Sequence, residues 1–125
     1  MSNRKVSGVP LNNIPLNSKN EFYVAANTID WKKICDSNMF STSYSPLQPI
    51  RRMVGLYILS VKLKISGQEL LNQWLQIPYY QYFTGESLFH WELPLSAEEF
   101  LLFQSQLNES FINEINSALF WSNEN

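Results

Sequence analysis

The fourteen residues from Ile50 to Leu63, IRRMVGLYILSVKL, constrain this chain more than any other stretch. Placed on a helical wheel, their apolar side chains fall on every side. Arg51 and Arg52 stand at the start, and Lys62 and Lys64 at the end. A helix that is apolar all round has to be covered all round, so it belongs at the centre of a bundle. Val, Ile and Tyr would also suit a strand, but the length favours a helix, and the late lysines match a helix C-terminus. The most apolar part, Met53 to Leu63, is eleven residues long and contains Lys62. Spanning a bilayer takes roughly 20 residues. The expectation is a soluble, cytoplasmic protein with no membrane partner and one deeply buried helix.

The rest of the chain must supply the cover. The 125 residues suit one domain. At 45% apolar, with four Trp, six Tyr and eight Phe, the chain can build a real core. Residues 1–20 carry prolines, asparagines and serines with little to bury, which predicts a flexible arm. The folding domain is expected over 21–125. Residues 21–39 have helical spacing, with Asn27 or Thr28 expected to cap a second segment there and Asp30 in its first turn. Ser66 with Glu69 predicts a capping box opening a helix to about Gln76. Pro78 then disfavours helical geometry at Ile77. Residues 79–84 add a short turn, stopped by Gly85. Ser96 with Glu99 repeats the box and opens a helix with Phe100, Leu101, Phe103 and Leu107 inward. A last helix carries Phe111, Ile112, Ile115, Leu119, Phe120 and Trp121. The sum is an all-α fold: a small bundle of about five helices, in which 50–64 and 66–76 form a helix-turn-helix-like pair.

Charge is divided by position. All nine Lys and Arg lie within residues 1–64; against three acids there they leave +6. Residues 65–125 hold eight acids and no base, leaving −8. Such asymmetry points to a polyanion partner for the first half, or to two halves that attract each other or meet another domain. Arg51, Arg52, Lys32, Lys33, Lys62 and Lys64 are the candidate phosphate contacts. The helix after them, 66–76, has no positive charge, although Gln68, Asn72, Gln73 and Gln76 suit base edges.

Catalytic chemistry finds little support. There is no GxGxxG, no GK[ST] phosphate loop and no HExxH. The single Cys35 and single His90 are too few for a zinc site. Adjacent Glu98 and Glu99 point about 100° apart on a helix and do not converge. No catalytic residue, metal ligand or cofactor is expected.

Longer motifs carry a resemblance. "PIRRMVGLYIL", "LSVKLKISGQELLNQWLQIPYYQYFTGE" and "LFHWELP" follow one another from Pro49 to Pro94, and "NTIDWKKI" precedes them. In order and spacing the chain resembles the N-terminal domain of bacterial insertion-sequence transposases of the DDE class. The matching positions include Trp31, Arg51, Trp74, Pro78, Tyr79, Tyr82, Phe83, Gly85, Glu86, Trp91 and Pro94. Where that family has F-R-x-R, this chain has Gln104 and Gln106. The resemblance implies a bacterial mobile-element protein that binds insertion-sequence ends. The family's metal-binding carboxylates lie downstream of the matched region, so the chain itself is expected to be a truncated transposase without strand-transfer activity. The alternatives are a module that pairs with itself or with an intact transposase, and an inactive remnant. Tyr79, Tyr82 and Phe83 are expected to wedge between helices, with base stacking as the other use for such rings.

Overall fold

The computed structural model describes residues 9–118, and among them the molecule is mostly helical. A two-residue strand β1 (Val9–Pro10) leads into a 3-10 turn (Leu11–Asn13), then α1 (Glu21–Thr28), α2 (Trp31–Cys35), α3 (Ile50–Leu63), α4 (Gly67–Gln76) and α5 (Pro78–Phe83). A second short strand, β2 (Leu88–Phe89), precedes α6 (Ala97–Gln106) and α7 (Glu109–Ala118). The all-α expectation holds, with one small addition: β1 pairs antiparallel with β2, Val9 opposite Phe89.

The α3 helix is the centre that its sequence demands. Met53, Val54, Leu56, Ile58 and Leu59 are all at most 1% exposed. Three helices, α2, α4 and α6, pack on α3, while α1 and α4 pack on α5. Gly55 is required by this closeness. A Cβ there would stand 2.9 Å from Thr84 Cγ2 and 3.0 Å from Thr84 Cα, so glycine is what lets the segment after α5 press against α3.

Seven α-helices stand among the described residues where about five were expected. Residues 21–39 hold two segments, as expected, parted at the extended Ile29, and the caps are Asn20, accepting from the Phe22 and Tyr23 amides, and Asp30, accepting from Lys33. Neither Asn27 nor Thr28 caps. The 79–84 turn is a true helix because Pro78, with its φ already set, sits at the first position. Gly85 ends that region at φ +83.

The two capping boxes behave differently. At Ser96 both reciprocal bonds form. Ser66 holds the N-cap position of α4, but its hydroxyl accepts no capping bond, and the Glu69 carboxylate contacts Gln73 instead, at 3.5 Å. Between α3 and α4, Lys64 takes the left-handed conformation (φ 58, ψ 45). The α6 interior is narrower than expected: Phe100, Phe103 and Leu107 are buried, but Leu101 is 56% exposed, one residue off the inward line. Leu119, Phe120 and Trp121 lie outside the described residues, as do residues 1–8 of the expected arm. From Val9 on, the arm is tied down: Leu11 is buried, its amide donates to the Ser87 carbonyl, and the Asn17 amide donates to the Tyr79 hydroxyl.

Candidate functional site

The first turn of α3 places Arg51 and Arg52 side by side, and they part at once, because neighbouring helix positions diverge by about 100°. Arg52 turns to Glu86. Its Nε donates to Oε2 at 2.8 Å and its Nη2 to Oε1 at 2.6 Å, a bidentate pair whose side chains are only 12% and 6% exposed. Arg52 Nη1 also donates to Gln48 Oε1 at 2.7 Å. His90 Nε2 lies 2.9 Å from Glu86 Oε1 and 3.4 Å from Arg52 Nη2.

The pair is embedded in a polar network supplied by the YQYFTGE run. Gln81 is fully buried. It clasps the backbone of His90 from both sides, accepting its amide at 2.7 Å and donating to its carbonyl at 3.0 Å. The Thr84 hydroxyl accepts from the Trp74 indole at 2.9 Å and lies 3.0 Å from the Gln81 carbonyl. Gln48 reaches the Pro94 carbonyl at 2.9 Å. One set of hydrogen bonds thus joins α3, α4, α5 and the 86–95 segment.

Burial works to raise the Glu86 carboxyl above its usual range. The hydrogen bonds and charge of Arg52, and then those of His90, outweigh burial and hold it below that range. A carboxyl whose folded value is depressed stabilises the fold above the unfolded value and loses that contribution as pH falls through the folded one. The contribution of Glu86 should therefore be constant from neutrality to about the ordinary glutamate pKa of 4.5 and fall below it. Urea midpoints between pH 7 and 3 check this; with Glu86→Gln the acid fall should be shallower.

Arg51 takes the other direction. Its guanidinium carbon sits 4.0 Å above the Trp31 ring, and its Nη2 donates to the Phe83 carbonyl at 3.2 Å. Burial lowers its pKa from the ordinary arginine value. The nearby Cys35 thiol is pushed up by burial, against the pull of Arg51, which leaves it a poor nucleophile.

The aromatic run divides by ring. Phe83 is fully buried and meets Trp31 and Phe22 edge-on. Tyr80, not singled out from sequence, is also buried and meets Phe22 at 5.0 Å. Tyr82 stacks flat on Tyr23 at 4.5 Å, and its hydroxyl accepts from Asn27. Tyr79 holds Asn17, Trp74 is fully buried, and Trp91 is 53% exposed while meeting Phe89 edge-on.

Lys32, Lys33 and Lys64 are at the surface, and Lys62 is partly covered. Lys32 forms an exposed pair with Asp36 at 3.1 Å, and Lys62 approaches Glu21 at 3.5 Å. Lys33 and Lys64 are exposed. Sequence reasoning missed Gln48, Gln81, Thr84, Glu86 and His90 as a unit. One signal pointed to it: Glu86 is the sole acid near the aromatic run, and Arg52 opens a helix that has to be buried. Among the described residues no three His, Cys, Asp or Glu side chains are grouped to hold a metal ion, and no helix is long and apolar enough to cross a membrane.

Fold and network together define a small α-helical module cross-braced by one buried ion pair. The chain belongs to the transposase domain family (DUF772), whose model matches residues 12–106. A Rhizobium meliloti protein described as uncharacterized protein ORF8 in the nfe locus is 25% identical over 107 residues, covering 82% of this chain and 51% of that protein. The chain thus spans about half the length of the curated relative it matches. No solved structure matches it.

Proposed function

We propose that this chain is the DNA-associated N-terminal module of an insertion-sequence DDE transposase, without strand-transfer chemistry of its own. The observation that carries this reading is the transposase-domain match over residues 12–106, set beside the +6 balance of residues 1–64. Arg52 is neutralised inside the fold, so the surface phosphate contacts fall to Lys33 and Lys64, with Lys32 and Lys62 in support. Lys64 is telling. A non-glycine residue in the left-handed region costs about 1–2 kcal/mol, and glycine is the usual occupant after a helix. Lys64 lies between the two helices of the α3–α4 pair and is exposed, which supports it as a candidate contact. Helix C-termini also favour cations, so the charge suits the end of α3 as well.

Affinity for short duplexes should fall steeply with salt, because each phosphate contact releases counterions. Lys33→Ala with Lys64→Ala should make the slope of log affinity against log salt shallower by about two. A flat salt response in the parent protein, with the fold intact, contradicts the reading.

A second reading is an assembly module. Leu47, Leu101 and Leu102 are 95%, 56% and 50% exposed, and Leu47 and Leu102 line an open groove of about 200 Å³ with Tyr44, Pro46 and Met53. The relative is about twice as long as the matched region, so the occupant proposed for this groove is the remaining half of a transposase. Pull-down by an intact transposase, weakened by Leu102→Glu, supports it; no association rejects it.

A further inference from the structure

An open polar pocket of about 190 Å³ lies beside Gly85, lined by Ala26, Asn27, Arg51, Tyr82, Gly85 and Glu86. Its two charged residues are not equally engaged. Glu86 is the acid on its wall, and both carboxylate oxygens are engaged by Arg52 and His90. Arg51 is left with a carbonyl for one nitrogen, while its Nε is buried with no hydrogen-bond partner. A buried donor without an acceptor is rare in a folded chain and calls for an explanation. The lining holds one cation, Arg51, and one carboxylate, Glu86, and that carboxylate is paired with Arg52 behind the wall.

The guanidinium is also held in place. One side rests on Trp31 at 4.0 Å. A Cβ on Gly85, whose φ is +83, would fall 2.8 Å from Arg51 Cγ and 3.0 Å from Cζ and Nε, so the Arg51 side chain packs closely on this glycine. A planar fork, already immobilised, loses little freedom when it captures a planar or tetrahedral oxyanion. Asn27 braces the rim by donating to the Tyr23 carbonyl and the Tyr82 hydroxyl, both at 3.0 Å.

We infer that this pocket binds a single oxyanion of phosphate type, with Arg51 as its charge and Asn27 and Tyr82 as its rim. The inference rests on the DNA reading only for the source of the anion: a backbone phosphodiester in that case, a free phosphate otherwise. The pocket is tested by titrating the isotope-labelled protein with inorganic phosphate at constant ionic strength, chloride being the control. Saturable shifts are expected at the amides of Asn27, Tyr82 and Gly85. Asn27→Asp sets a carboxylate on the exposed rim without touching the core, and should weaken phosphate binding at least about tenfold. Arg51→Lys, which keeps charge but loses the fork, should do the same if its spectrum remains folded. Shifts that chloride reproduces, or that persist unchanged in Asn27→Asp, overturn the pocket.

A duplex titration separates the two sources. If Asn27→Asp makes the salt slope shallower by about one, the pocket holds a backbone phosphate. Phosphate shifts with an unaltered DNA slope assign it to a free oxyanion. Phosphate binding in a protein that ignores DNA altogether keeps the pocket and removes the DNA reading.

Discussion

Glu86→Ala will remove about 3–5 kcal/mol of stability. The mutation strands Arg52, whose side chain is 12% exposed, without its bidentate partner, and takes the acceptor from His90. Breaking one side of a buried pair leaves an uncompensated charge, which is why the loss exceeds the net worth of the pair itself. Whole domains hold about 5–15 kcal/mol, so the variant should be partly unfolded at room temperature or melt far earlier. Urea denaturation measures it. Removing both partners with apolar residues of similar volume, Arg52→Met with Glu86→Leu, should recover much of the loss. A loss for Glu86→Ala under about 1 kcal/mol would mean that Arg52 swings out to water, and the cross-bracing role assigned to this pair would fall.

Phe83→Ala should be comparably severe, about 3–5 kcal/mol. The ring is fully buried and meets Trp31 at 5.2 Å and Phe22 at 6.5 Å, both edge-on. Its removal opens a cavity where α1, α2 and α5 meet, and it frees Trp31, on which Arg51 rests. Tyr82→Ala, one residue earlier, removes a half-buried ring stacked on Tyr23 and should cost about 1 kcal/mol. Thermal melts of the two variants give a sharp contrast: equal small effects would show that the run is surface decoration, free to stack on bases rather than on its own fold.

Much of the architecture was legible because it is written in local pattern. The apolar surround of α3 fixed a central helix, Pro78 marked a break after Gln76, and Ser96 with Glu99 announced a cap that forms. The failures are informative. Ser66 with Glu69 has the same pattern, yet Glu69 turns to Gln73, since a motif specifies an opportunity and not the competing partners. Leu101 was assigned inward because its neighbours are apolar, but the inward line at Phe100 and Phe103 skips it. Arg51 and Arg52 looked alike as a basic pair. Their fates depend on Glu86 and Trp31, which lie 34 residues after Arg52 and 20 before Arg51, and no periodicity reports contacts at that separation. The Gln81 clasp was equally silent, since a glutamine among tyrosines carries no charge or period.

The pairing of β1 with β2 bears on where this unit can be cut. Family likeness starts at residue 12, but Leu11, 2% exposed, and the strand opposite Phe89 come before it. A fragment trimmed to the likeness would strip the shield from the Leu88–Phe89 edge and bare a sticky flank. Evolutionary borders and folding borders do not coincide here.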